Sequence, residues 1–168
     1  LKNVVKYTAV GVTAASVLNS LMPNYAYANQ VEVNDPAIQA SSITYKSSNG
    51  NGNIKGYYVK PSSANSKTPA VLVVHENRGL NPYIKDVARR VAKAGFIALA
   101  PDGLSSLGGY PGNDAEGKDM QAKIDKEKLL NDFFNGFEFL YNHTDTNKKI
   151  GAVGFCYGGG VCNALAVA

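Results

Sequence analysis

Three uninterrupted apolar runs restrict the fold of this 168-residue chain more than any other feature. They occupy residues 70–74, 96–100 and 150–155. Each run is too short for a fully buried helix and lacks the alternation of a strand with one exposed face. The runs therefore predict three strands that are buried on both faces, as in a parallel sheet.

Helical patterns lie between these predicted strands. Asn81 and Pro82 have the residue types of an N-cap and a first helical position, and Gly95 is suited to end that helix. Large apolar residues recur at helical spacing over residues 129–140, and a further helix is predicted from about Tyr157. The alternation of strands and helices favours an α/β fold with a mostly parallel sheet and helices on both faces.

A β-hairpin is predicted ahead of the parallel strands. Residues 43–45 and 54–60 are typical of strands, and residues 47–53 between them contain two Asn-Gly pairs. We expect a single domain over residues 29–168. In sheets of this kind binding sites lie at the carboxyl ends of the strands, here residues 75–78, 101–103 and 154–160.

The first 28 residues have the features of an export signal. An apolar stretch at residues 4–21 is followed by Ala26-x-Ala28, a small-residue cleavage pattern. We expect residues 1–28 to be the remnant of such a signal, the mature chain to start near Asn29, and the protein to be periplasmic or extracellular. A cytoplasmic protein with an ordinary N-terminal helix is the alternative.

A membrane anchor and a nucleic-acid partner are both disfavoured. Lys6, Asn19 and Pro23 interrupt the apolar stretch, so no stable membrane span is expected in the mature chain. The net charge is +4, from 17 basic and 13 acidic residues, but the basic residues form no stripe with interleaved aromatic residues. The charge thus indicates a solvated surface.

The stretch GFCYGGG at residues 154–160 has the form of a nucleophile elbow with cysteine in place of serine. Gly154 and Gly158 leave room for a sharp strand-to-helix turn, and Gly159 or Gly160 is expected to let the helix pack close to the sheet. A helix N-terminus would favour the thiolate form of Cys156. A dinucleotide-binding loop is disfavoured, because the G-x-G-x-x-G pattern of such loops is not present here. The other alternative is an inert, buried cysteine.

The other cysteine and the histidines indicate no metal site. Cys162 lies too far along the predicted helix for a disulfide with Cys156, so we expect it to pack in the interior. His75 follows the first apolar run without further ligands nearby, and His143 is expected to be a solvated loop residue. No metal or other cofactor is predicted.

Three segments together resemble one protein family: VVHENRG at residues 73–79, APD at 100–102 and GFCYGG at 154–159. The resemblance is to the dienelactone hydrolase family of the α/β-hydrolase fold, over about residues 43–168, roughly the N-terminal half of a complete member. It implies an ester or lactone hydrolase of the carboxymethylenebutenolidase type, which opens dienelactone to maleylacetate. The only partner it implies is a small-molecule ester or lactone.

The resemblance also implies roles for individual residues. Cys156 matches the nucleophile that forms an acyl-thioester enzyme, and Glu76 matches a carboxylate that contacts the resting thiol and helps to generate the thiolate. The backbone N–H groups of Tyr157 and Asn77 match the oxyanion hole. Arg78 is a candidate for holding a substrate carboxylate, and a surface ion pair is the alternative.

The family's triad also requires an Asp and a His after the elbow. No such pair follows Cys156 before Ala168, and His75 precedes the elbow. The chain also begins with Leu1 and ends in an apolar helical pattern. We therefore expect a piece of a longer protein, inactive alone, with the Asp and His downstream.

Two alternatives to the lactone hydrolase stay open. The protein could be a general carboxylesterase without a preference for lactones. It could also be a non-catalytic, redox-responsive protein that uses Cys156 as an oxidisable thiol. Glu76 favours hydrolysis, because a thiol sensor needs no carboxylate on another strand.

Overall fold

The computed structural model of the chain describes residues 29–168. Its elements, in chain order, are β1 (Ile38–Ser47), β2 (Gly52–Pro61), β3 (Thr68–Val74), α1 (Pro82–Lys93), β4 (Ile97–Pro101), a 3₁₀ turn (Ser105–Leu107), α2 (Asp114–Gln121), α3 (Lys126–Asn142), β5 (Thr146–Gly154) and α4 (Tyr157–Val167). The predicted export signal, residues 1–28, lies outside the described residues. Over residues 29–168, no helix has both the length and the apolar character needed to cross a membrane.

The five strands form one mixed sheet in the order β1-β2-β4-β3-β5. β3 lies in the middle of the parallel part and pairs with β4 on one side and β5 on the other. The hairpin β1-β2 joins the sheet through an antiparallel pairing of β2 with β4. The predicted α/β architecture is confirmed, and the hairpin makes the sheet mixed rather than wholly parallel.

Helices cover both faces of the sheet. Alternate side chains of β3 point to opposite sides, with Leu72 and Val74 in one apolar core and Val73 in the other. The first core is closed by α3 and α4, where Phe133 and Val161 are buried. The second core is closed by α1. The sheet therefore separates two cores, as predicted for helices on both faces.

The predicted N-cap of α1 is confirmed. The side-chain oxygen of Asn81 accepts a hydrogen bond from the Ile84 N–H at 3.0 Å, and Pro82 is the first helical residue. Gly95 follows the helix with a φ of +99°, a conformation that favours glycine. These local signals fix where the loop after β3 ends.

Three elements differ from their sequence predictions. β1 spans Ile38–Ser47 rather than residues 43–45, because it pairs with β2 along its whole length. Helix α2 was not expected, since it has little apolar periodicity; Asn113 caps it by accepting from the Glu116 N–H at 2.9 Å. β5 was predicted to be buried on both faces. In the described part of the chain it is an edge strand, and much of it is exposed.

A buried ion pair holds the first described residues against α1. The Val31 N–H donates to Asp86 Oδ1 at 3.0 Å, and the Val31 C=O accepts from Arg89 Nε. Arg89 Nη2 lies 3.3 Å from Asp86 Oδ1, and both side chains are buried. Because each charged group has a partner and binds the main chain of Val31, the segment before β1 is fixed to the domain from Val31 onward.

Candidate active site

The ends of β3 and β5 bring two of the predicted site segments together. The strands are parallel neighbours, and Val74 is paired with Gly154 at their carboxyl ends. Glu76 and Cys156 each follow two residues later. Since paired strands lie about 4.8 Å apart, both residues leave the sheet from neighbouring points on one edge. Their assigned roles stay predictions.

The turn at Cys156 has the strained shape that the sequence predicts. Cys156 has φ 53° and ψ −112°, and residues other than glycine rarely adopt a positive φ. Strain of this kind costs about 1–3 kcal/mol and often accompanies a functional site. The residue is exposed and occupies the N-cap position of α4.

Two glycines allow the close packing at this turn, Gly154 between β5 and α4 and Gly158 between α4 and β3. A Cβ on Gly154 would lie 2.2 Å from the Gly158 carbonyl oxygen. A Cβ on Gly158 would lie 2.5 Å from the carbonyl oxygen of Val74 and 2.9 Å from that of His75. The main chain of α4 therefore rests on the main chain of β3 with no side chain between them.

The prediction that Gly159 or Gly160 provides this close packing is wrong. A Cβ on Gly159 would come no nearer than 4.0 Å to the Gly154 carbonyl oxygen. Apart from its chain neighbours and the nearby backbone of α4, no described atom lies within 4 Å of a Cβ on Gly160. Because each residue of a helix is rotated relative to the one before it, Gly158 faces β3 whereas Gly159 and Gly160 do not.

Cys162 packs beneath the turn. Its Sγ atom would lie 2.9 Å from a Cβ on Gly154, and both cysteines are free thiols. Burial raises the pKa of the Cys162 thiol, which keeps it protonated. The predicted packing role agrees with this environment.

The two predicted oxyanion-hole donors lie three residues beyond the last residues of β3 and β5. Tyr157 is the first residue of α4, where an N–H has no acceptor within the helix, and Asn77 follows Glu76 in the loop after β3. Over residues 29–168, neither N–H donates to a main-chain carbonyl in a loop or cap. Their role in binding an oxyanion stays a prediction.

Arg78 forms the ion pair that the sequence left open. Its Nη1 lies 3.1 Å from Asp114 Oδ2, and its Nε lies 4.0 Å from Glu76 Oε2. The hydrogen bond to Asp114 raises the pKa of Arg78, and the charges of Glu76 and Cys156 act in the same direction. The guanidinium is therefore within electrostatic reach of both predicted catalytic groups. Substrate binding by Arg78 stays a prediction.

Asp114 is a site-edge residue that the sequence interpretation missed. Besides Arg78, it accepts hydrogen bonds from the Tyr110 hydroxyl at 2.8 Å and from Asn81 Nδ2 at 3.2 Å. The available signal was the cap residue Asn113, which marks the start of α2. Asp114 thus connects the loop after β3 with the loop after β4.

Asp102, in the third strand-end segment, organises the main chain. Its carboxylate accepts from the N–H groups of Leu80 at 3.4 Å, Leu104 at 3.1 Å and Tyr110 at 2.9 Å. The side chain is buried. These bonds define the loop that follows β4 and attach it to the loop that follows β3.

The two histidines have different environments from each other. His75 is fully buried behind the site, and its ring bonds to the main chain of Glu76 and Gly103.

The expectation that His143 is a solvated residue is wrong. Its ring is half-buried, and its centroid lies 5.2 Å from that of the Tyr58 ring and 5.3 Å from that of the Phe139 ring. Within residues 29–168, no three His, Cys, Asp or Glu side chains cluster as metal ligands would.

Comparisons with known proteins identify similar sequences and structures. A family model described as "Dienelactone hydrolase family" matches residues 54–168. The "Putative hydrolase fragment YghX" of Escherichia coli K12 is 66% identical over 113 residues, which are 67% of this chain and 97% of that protein. A "Probable 2-oxo-3-(5-oxofuran-2-ylidene)propanoate lactonase" of Bradyrhizobium is 34% identical over 111 residues, 65% of this chain and 45% of that protein.

A solved structure shares the fold. The crystal structure of a "Putative Dienelactone Hydrolase" from Klebsiella pneumoniae superposes with a TM-score of 0.60 at 28% identity, covering 73% of this chain and 52% of that one. The α/β-hydrolase fold that the family resemblance implies is thereby confirmed. Apart from the YghX protein, the chain spans about half the length of such relatives.

Proposed function

Because the chain belongs to the dienelactone hydrolase family, we propose that the whole protein hydrolyses small-molecule esters or lactones with Cys156 as the nucleophile. One observation carries the proposal. Cys156 is an exposed thiol on a strained turn at the N-terminus of α4, beside the segment that holds Glu76 and Asn77. A thiol held in this way suits attack on a carbonyl group.

The proposed reaction proceeds in two steps. The Cys156 thiolate attacks the carbonyl carbon, a C–S bond forms, and the N–H groups of Asn77 and Tyr157 bind the oxyanion. The C–O bond then breaks, and the leaving oxygen takes a proton; in a lactone this oxygen stays on the acyl chain. Water then attacks the thioester carbonyl, a C–O bond forms and the C–S bond breaks, which releases the carboxylic acid and returns the proton to the Cys156 sulfur. The general base, the Asp–His pair implied by the family resemblance, is proposed to come from the remainder of the whole protein.

Glu76 and Arg78 are proposed to control charge at the nucleophile. Glu76 helps to remove the thiol proton, and the nearby guanidinium of Arg78 stabilises the negative charge that results. Arg78 is 45% exposed, so one side of it remains accessible while it is paired with Asp114. We propose that this side binds a substrate carboxylate, a group that the name of the Bradyrhizobium lactonase includes.

Trapping of an acyl-enzyme tests this proposal. The whole protein is mixed with p-nitrophenyl acetate, quenched in acid at short times, digested and analysed by mass spectrometry. An acetyl group is expected on the peptide that carries Cys156. The Cys162→Ala variant is the matched control and should still be acetylated, because Cys162 lies beneath the turn. Acetylation of another residue during turnover would contradict the assignment of Cys156.

The exposure of Cys156 also fits the alternative of an oxidisable thiol. The same protein treated with peroxide and then with dimedone would carry the label on Cys156. Labelling without any ester turnover would favour the redox function over hydrolysis. Turnover of simple esters but not of lactones would favour a general carboxylesterase.

We further propose that the protein is exported and cleaved after Ala28. The Ala26-x-Ala28 pattern supports this location, and the contacts of Val31 with Asp86 and Arg89 begin beyond the proposed cleavage site. Protein purified from its native host should begin at Asn29 when its N-terminus is sequenced. An uncleaved N-terminus on protein from the cytoplasmic fraction would overturn the proposal.

A further inference from the structure

His75 is a fully buried polar side chain whose two ring nitrogens both bond to the main chain. Nε2 lies 3.0 Å from the Gly103 nitrogen, and Nδ1 lies 2.5 Å from the Glu76 carbonyl oxygen. A main-chain N–H can only donate, so Nε2 must be the unprotonated nitrogen. The ring proton is therefore on Nδ1 and is donated to the Glu76 carbonyl.

The bond to Glu76 controls the direction of the next N–H group. The Glu76 carbonyl and the Asn77 N–H belong to one peptide unit, which is planar, and no peptide bond over residues 29–168 is cis. In a trans peptide the two groups point in opposite directions. Because His75 holds the carbonyl toward the interior, the Asn77 N–H is directed away from the buried imidazole.

We propose that His75 is a positioning residue that orients the Asn77 N–H in the oxyanion hole. The inference rests on the proposed hydrolase function, and it assigns to His75 no proton transfer and no contact with the substrate. Correct orientation of such a donor matters because an oxyanion-hole hydrogen bond contributes about 10²–10³-fold to kcat.

The surroundings of His75 hold the imidazole in this orientation. The Phe133 ring packs edge-on against it, with centroids 5.2 Å apart, and a Cβ on Gly103 would lie 2.9 Å from Nε2. Burial lowers the pKa of His75, although the Glu76 carbonyl and the charge of Asp102 act in the opposite direction. A neutral ring with both nitrogens bonded avoids the cost of an unpaired buried polar group.

Two substitutions separate the two hydrogen bonds of the ring. In His75→Asn the side-chain amide nitrogen replaces Nδ1 and keeps the bond to the Glu76 carbonyl. In His75→Gln the amide oxygen reaches the position of Nε2 and keeps the bond to the Gly103 N–H. Phe133→Leu is the control that disturbs packing against the ring and leaves both hydrogen bonds in place.

The readout compares two reactions of Cys156 in the whole protein. Acylation by a p-nitrophenyl ester passes through an oxyanion, whereas alkylation by iodoacetamide displaces iodide and forms none. We expect His75→Gln to lower the single-turnover acylation rate by about 10²-fold, with KM changed less than about threefold and alkylation unchanged. His75→Asn and Phe133→Leu should stay within about fivefold of the unsubstituted protein in both reactions.

Several outcomes would overturn the inference. Equal acylation rates in the Gln and Asn variants would show that the bond to Glu76 does not matter. Equal losses of the acylation rate and the alkylation rate in His75→Gln would indicate a structural role alone. A lowered melting temperature of that variant would confirm such a role. If unsubstituted protein is alkylated at Cys156 but never acylated, the proposed hydrolase function fails instead.

Discussion

Replacing Cys156 with alanine is expected to lower kcat/KM for ester hydrolysis by at least about 10³-fold, or roughly 4 kcal/mol of transition-state stabilisation. The reason is that the alanine side chain has no nucleophilic atom that could form the acyl-enzyme. Cys156→Ser should retain more activity than Cys156→Ala, because the hydroxyl can still attack once a base removes its proton. Steady-state hydrolysis of p-nitrophenyl esters by the whole protein measures both effects.

Cys162→Ala is the matched control for these variants. It removes the other thiol of the described residues, which packs beneath the turn, and should keep kcat/KM within about threefold. Folding is not expected to suffer in Cys156→Ala, since this side chain is exposed. Retention of normal turnover by a folded Cys156→Ala variant would eliminate Cys156 as the nucleophile.

Gly158→Ala is expected to have the largest effect on stability, lowering the free energy of unfolding by about 3 kcal/mol or more. The new methyl group would lie 2.5 Å from the Val74 carbonyl oxygen and 2.9 Å from that of His75. Both contacts are with main chain, so no change of rotamer relieves them and α4 must move away from β3. Denaturant unfolding of the whole protein, followed by circular dichroism, measures the loss.

Gly160→Ala is the matched control in the same helix. Apart from its chain neighbours and the nearby backbone of α4, no described atom lies within 4 Å of the added methyl group. Alanine is also a better helix former than glycine by about 1 kcal/mol. Gly160→Ala should therefore leave stability unchanged or raise it slightly. Equal destabilisation by the two substitutions would mean that close contact with β3 is not the cause.

Features with a local cause could be predicted from the sequence. The helix start at Asn81-Pro82 depends on residues within one turn, and the buried run at residues 70–74 depends on its own composition. The sharp turn at Cys156 was also indicated locally, by the glycines two residues before and after it. In each of these cases the determining atoms are adjacent in the chain.

Features that depend on packing could not be predicted in the same way. The contact of Gly158 with β3 depends on the rotation of α4, which the glycine run 158–160 does not specify. The ion pair of Arg78 with Asp114 joins residues 36 positions apart, across loops whose paths are set by Asp102. The hydrogen-bond partners of His75 could not be predicted from the sequence, because they are main-chain atoms that every residue carries.

The contact between Gly158 and the Val74 carbonyl has a further consequence for sequence variation. The separation of α4 from β3 is fixed by atoms of the polypeptide backbone, which are the same whatever side chains surround them. Side chains lining the site can therefore be exchanged without moving Cys156 relative to the loop after β3. Substrate preference and the spacing of the reacting groups are, in this arrangement, independently variable properties.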